Sequence, residues 1–206
     1  MPKRFLDHTS RGLTLIEITV TLALSSILAY LVMSFLLKGS QLTARENGLL
    51  ELEQSSHFLA SKVEADLQNS GISGISYLAS NSGSAEAVAM TPILDVTADG
   101  DLVWEDRIQA YAWRPDKQTL SRIEIKKSAN ILDNPIRLAP TDWAPLLSVD
   151  KSQSSVVAER MTFFSVRNRS TTNSSRLIDL ALEISRDIPG LGTRKLRQER
   201  TIALRN

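Results

Sequence analysis

The chain contains no cysteine and only two histidines, His8 and His57. Their scarcity excludes a disulfide framework, a thiolate metal site and a cysteine nucleophile. Two imidazoles are also too few for most zinc sites and histidine-based triads. Excess charge of one sign is missing too: 24 Lys and Arg stand against 23 Asp and Glu. No global field draws such a protein to polyanions, which argues against a general nucleic-acid binder. A disordered chain is excluded from the other side, because 42% of the 206 residues are hydrophobic and the net charge is only +1. The length suits one domain with an appendage.

Proline is absent from Leu13 to Asn69, and over Leu13–Leu37 charge is nearly absent as well. That stretch reads LTLIEITVTLALSSILAYLVMSFLL, with Glu17 as its single charge. As a helix it rises roughly 37 Å, more than the roughly 30 Å hydrocarbon core of a bilayer. It is apolar on every face, so it needs cover from lipid or from other copies of itself.

Ahead of it, residues 1–12 carry Lys3, Arg4 and Arg11 against Asp7. A basic flank before an apolar run looks like a secretory signal, but the run exceeds the usual core of about 7–15 residues. No small-residue cleavage site follows it, and the candidate processing point, Arg11-Gly12, precedes it. The basic flank predicts a cytoplasmic N-terminus and a translocated C-terminal part. Glu17 costs on the order of 2.5–3.5 kcal/mol if it lies near mid-bilayer. Either it snorkels to the headgroups, or it needs a cation. A cut after Gly12 would supply one as the α-amino group of Leu13.

Gly12-Leu13-Thr14-Leu15-Ile16-Glu17 resembles the G-F-T-L-I-E box of type IV prepilins and type II secretion pseudopilins. The resemblance implies cleavage between Gly12 and Leu13 by a membrane prepilin peptidase, N-methylation of Leu13, and a docking role for Glu17 in filament growth. Leu13 departs from the family's usual Phe. Within Gln54–Gly71, the residues Phe58, Asp66, Leu67 and Gly71 resemble the helix end of PilW-like minor pilins, as does the ending Thr201–Asn206. Residues 75–155 carry no such likeness.

The implied protein is a non-enzymatic minor pilin of type IV pilus assembly, acting in an initiation or tip complex and using no cofactor. Its implied partners are prepilin peptidase, other minor and major pilin subunits through the N-terminal helix, and the inner membrane, with no nucleic acid. It would sit in the bacterial inner membrane as a single-pass protein with a periplasmic C-terminal domain, and then in the filament. A GspJ-like minor pseudopilin of type II secretion is the nearest rival. A membrane-anchored periplasmic binding or enzymatic domain, with the box a coincidence, is a third reading.

Beyond the apolar run, Leu42, Leu49, Leu52, Ser56, Leu59, Val63 and Leu67 form an amphipathic stripe. It predicts one helix to about Asn69, with Gly39 and Gly48 as weak points and Asn69-Ser70-Gly71 as its stop. Strand signals follow at 87–93, 102–104, 108–113, 119–126, 156–167, 177–186 and 195–204, with turns at Asp99-Gly100 and Arg114–Lys117. Residues 128–155, with Pro135, Pro140 and Pro145, read as a long irregular connection, and 167–176 as a solvated loop. Residues 187–192 read as a loop whose Pro and Gly stop both neighbouring strands. Strands without intervening helices predict an antiparallel sheet. The expected chain is therefore α+β and pilin-like: leader 1–12, filament-core or membrane helix 13–37, its continuation 38–70, and a β domain 71–206.

Three further groups invite chemistry. Asp95, Asp99, Asp101, Glu105 and Asp106 form an acidic cluster, but its spacing is not that of an EF-hand, and solvated turns are its expected role. His57, beside Phe58, is expected at a packing boundary, and His8 lies in the leader. Arg194, Lys195, Arg197 and Arg200 suit a charged, aggregation-resistant edge strand better than a nucleic-acid surface.

Overall fold

The computed structural model describes residues 14–78, 86–126, 134–148, 154–169 and 177–204. The chain is α+β: one long N-terminal helix and antiparallel sheets, with the second half of the helix packed on them. It divides into two units, Met1–Glu46 and Asn47–Asn206.

Helix α1 spans Leu15–Gln68 without a break, as the absence of proline predicts. From Leu52 onward its apolar stripe is buried, with Ser56, Leu59, Ala60, Val63 and Leu67 each at 2% exposure or less. The stripe begins later than its spacing suggests, since Leu42 and Leu49 are exposed. Gly48, expected as a weak point, is buried. A Cβ there would meet the side chain of Ile188 at 3.2 Å, so its smallness lets a strand end approach the helix.

Among the described residues ten strands follow: β1 Ile75–Leu78, β2 Glu86–Met90, β3 Ile93–Val96, β4 Leu102–Trp104, β5 Arg107–Arg114, β6 Thr119–Lys126, β7 Ser154–Glu159, β8 Met161–Asn168, β9 Leu177–Ile188 and β10 Gly192–Ala203. They form a five-stranded sheet β1-β2-β5-β6-β7, a three-stranded sheet β10-β9-β8 and a β3-β4 hairpin. Every pairing is antiparallel.

The main core joins Leu59, Val63 and Leu67 of α1 to Met90 and Tyr111 of the larger sheet and to Phe164, Leu180, Leu182 and Ile202 of the smaller. A second core covers the other face of the larger sheet, where Ala87, Ala89, Ala110, Ala112 and Ile123 meet Trp143 and Leu146. Double coverage explains why Ala87–Met90 reads as an unbroken apolar run.

Four sequence expectations change. The run 87–93 is two strands, parted at Thr91-Pro92. The single strand expected at 156–167 is two, in different sheets, because Arg160 takes a left-handed φ of +57° and redirects the chain. The Pro-rich connection contains helix α2, Trp143–Leu147, which supplies the cover of the second core; Pro145 is tolerated within its first turn. The loop at 187–192 shrinks to Pro189–Leu191, with Gly190 and Gly192 at positive φ closing a β9–β10 hairpin paired over twelve positions. Of the solvated loop expected at 167–176, Asn168 belongs to β8, and residues 170–176 lie outside the described ones.

Candidate functional site at the N-terminal helix

The first turn of α1 is organised around Glu17. Its Oε2 accepts the Thr14 amide at 2.8 Å and the Thr14 hydroxyl at 3.0 Å, while the Glu17 amide donates to Thr14 Oγ1 at 3.3 Å. This is a reciprocal capping box, in which the T-x-x-E spacing satisfies backbone donors that a helix start leaves open. A reading that seeks a cation for Glu17 passes over this spacing, although Thr14-Leu15-Ile16-Glu17 displays it. Gly12 and Leu13 lie outside the described residues.

From Leu15 to Leu37, fifteen large apolar side chains are exposed. Covering them is worth on the order of 20–40 kcal/mol at roughly 1.5–3 kcal/mol each. The polar residues of the segment do not oppose this. Thr19 Oγ1 donates to the Ile16 carbonyl at 2.9 Å, Thr21 Oγ1 to Glu17 at 2.7 Å, and Ser26 Oγ to Leu22 at 2.8 Å. These three hydroxyls are satisfied within their own helix, as an apolar environment favours. By length and composition the helix can cross a membrane.

The far end of α1 is held by polar contacts. Tyr111 is fully buried and its hydroxyl donates to Asp66 Oδ2 at 2.7 Å. Arg122 Nε lies 3.5 Å from the same oxygen as a neighbouring charge, outside hydrogen-bond geometry. Burial, and then the Asp66 carboxylate, push the Tyr111 phenol well above its ordinary range. Burial alone pushes Tyr77 up to about 12. Glu64 pairs with Arg200 of β10 at 2.5 Å, and Glu51 pairs with Arg186 of β9.

These contacts account for several residues of the helix-end pattern. Asp66 accepts from Tyr111, Leu67 is fully buried, and Gly71 leaves room for Trp104, whose ring would lie 3.1 Å from an added Cβ. Phe58 is 66% exposed and packs into neither core.

The remaining candidates are dispersed. Asp95, Asp99 and Asp101 lie on or between β3 and β4, where Asp95 accepts its neighbour's amide and the Asp101 amide donates to Thr97. Glu105 is engaged by Arg107, which also reaches Glu124 at 3.1 Å; the Glu105 bond holds the guanidinium above its ordinary value. Among the described residues no three His, Asp or Glu side chains form a metal-holding group. His57 is exposed rather than at a packing boundary, with Nδ1 3.5 Å from Ser61 Oγ. Of the basic run, Lys195 pairs with Glu183, Arg197 with Glu199 and Arg200 with Glu64, on an edge strand. Compared with known family models, curated proteins and solved structures, the chain has no match.

Proposed function

We propose that the chain is a non-enzymatic minor pilin. It is cut after Gly12 by prepilin peptidase, N-methylated at Leu13 and held in the bacterial inner membrane by the first part of α1, with the β domain periplasmic. The apolar helix and Glu17 then draw it into a type IV pilus beside other pilin subunits. The observation that carries this reading is an uncovered apolar helix whose only carboxylate up to Leu37 stands in its first turn. Glu17 Oε2 touches the Thr14 amide, the one next to Leu13. A cut after Gly12 would therefore create a positive α-amino group one residue along the chain from the amide that this carboxylate accepts. In low dielectric each charge would strongly favour a partner, on its own chain or on a neighbouring subunit. The α+β domain supports the reading by its agreement with the architecture that the resemblance implies. Assignment to a pilus rather than a secretion pseudopilus rests on the helix-end residues up to Gly71 and on the Thr201–Asn206 ending.

Mass spectrometry of the membrane-extracted protein tests the processing and is expected to show Leu13 methylated at the terminus. Retention of Met1 in cells that process their other prepilins would end the proposal. Glu17→Ala and Glu17→Gln test docking, read as subunit in sheared surface filaments. Gln preserves the capping-box hydrogen bonds but removes the charge. Both variants should be cut normally and both should enter filaments poorly. Normal incorporation of Glu17→Gln would reduce Glu17 to a cap.

A further inference from the structure

The outer face of the three-stranded sheet, turned away from α1, contains a groove that the pilin reading leaves without a role. Its middle rung is Ser165–Ala181–Glu199 and the next is Arg167–Asp179–Thr201, from β8, β9 and β10 respectively. Ser165 and Ala181 are small, and between their longer neighbours they floor a space of ≈440 Å³. That volume is in the range of small-ligand sites.

The charges around it do not cancel. Arg169 lies 3.7 Å from Asp179, and Arg197 lies 2.7 Å from Glu199. Arg167 has no acidic partner among the described residues, and residues 170–176, which join β8 to β9, include no Asp or Glu. One positive charge is therefore left over. Beside it stands an unspent donor: Ser165 is 4% exposed and its hydroxyl has no hydrogen-bond partner. A buried polar group in that state is unusual and unfavourable. Residues two apart on a strand share a face, so Ser165 and Arg167 address the same ligand. Ser165 is buried although it belongs to the outer face, so longer side chains close over it. Ligand contact with the Ser165 hydroxyl requires the side chains around it to move aside.

We propose that this groove binds an acidic sugar, its carboxylate held by Arg167 and Ser165 and a ring hydroxyl donated to Glu199. The wall carboxylates Asp179 and Glu199 select the class. They repel a dianionic phosphate or a polyanionic strand more strongly than a monoanion, and they accept hydrogen bonds from hydroxyls. A nucleic acid would need several free cations, and among the described residues the groove offers one.

The test uses the full chain in detergent micelles with D-glucuronate as probe, read by saturation-transfer NMR on the sugar protons. Saturable binding is expected. Arg167→Gln should weaken it by about tenfold or more, the scale of a charge-assisted hydrogen bond. Ser165→Ala should weaken it by about threefold without lowering the unfolding temperature, because an unpartnered buried hydroxyl does not stabilise the fold. Arg194→Gln, on β10 but outside the groove, should leave binding intact, and glucose and inorganic phosphate should bind more weakly than glucuronate. The proposal is overturned if glucuronate shows no saturable transfer, if Arg194→Gln weakens it as much as Arg167→Gln, or if phosphate binds more tightly.

Discussion

The two halves of α1 obey the same backbone rules yet bury opposite fractions of themselves. From Leu15 to Leu37 the large apolar side chains all stand exposed, whereas from Leu52 to Leu67 a single stripe is buried to 4% exposure or less. The first half is apolar on all sides, and its Thr19, Thr21 and Ser26 hydroxyls bond to its own carbonyls. The second is amphipathic and sends Asp66, Glu64 and Glu51 outward to the sheets. The first half leaves its apolar surface uncovered, while the second half is an integral part of a domain core.

The sharpest test of that contrast compares Val63→Ala with Leu28→Ala. Val63 is fully buried, so its truncation should destabilise the β domain by about 1–3 kcal/mol. Leu28, 64% exposed, should leave that stability unchanged. Urea unfolding of the full chain in detergent, followed by tryptophan fluorescence, checks both. Equal effects would mean that the halves are energetically one element.

Where the helix ends, Gly74 offers the next largest effect. An added Cβ would lie 2.6 Å from the Trp104 ring and 3.0 Å from the Thr91 carbonyl. Gly74→Ala should destabilise the domain by about 1–3 kcal/mol and shift the Trp104 emission.

Tyr111→Phe tests the polar clasp at the same end, with an expected loss of about 1–3 kcal/mol as Asp66 is left without its donor. The pH dependence follows from the same residue. The folded state holds the phenols of Tyr111 and Tyr77 protonated above their ordinary value of about 10, so the unfolded chain releases those protons first. Stability contributed by these groups is complete below pH about 10 and declines as pH rises through about 12 for Tyr77. Thermal unfolding at pH 9, 10 and 11 should show that slope, and Tyr77→Phe should flatten it.

Lys195→Ala stands at the small end. Its pair with Glu183 is solvent-exposed on the Lys side, so less than about 1 kcal/mol should be lost. Acid should erode the region from the other partner. Thr162 and then Lys195 hold the Glu183 carboxyl below its ordinary value, so its contribution is present above about pH 4.5 and fades as pH falls.

Legibility in the sequence followed the strength of local rules. The continuous helix was readable because proline is absent and the apolar spacing changes character without breaking. The pairs β5–β6 and β9–β10 were readable because turn residues separate alternating runs. The β7–β8 division was not, since Arg160 adopts a conformation that favours glycine and asparagine over arginine. Nor was the α2 cover, because three prolines mask a five-residue helix whose value lies in where Trp143 and Leu146 land. Gly48 misled for a related reason: propensity marks it as a defect, while packing against Ile188 makes it a fitting. At the N-terminus the reverse held, for the capping spacing of Thr14 and Glu17 was legible but obscured by the box that contains it.

The ion pairs between α1 and the β9–β10 hairpin have a metric consequence. Glu51 and Glu64 are thirteen helical residues apart, or about 20 Å along the axis. Their partners are Arg186 on β9 and Arg200 on β10, and Arg200 stands opposite Leu180, six strand residues from Arg186. Six strand residues also span about 20 Å. The two scales coincide at both clamps, as on a vernier, and fix the axial setting of the helix against the hairpin. Inserting one residue between Glu51 and Glu64 would advance the second clamp by about 1.5 Å and rotate it by about 100°. Sequence length in this stretch of α1 is thus a calibrated distance, set by the pitch of a different kind of secondary structure.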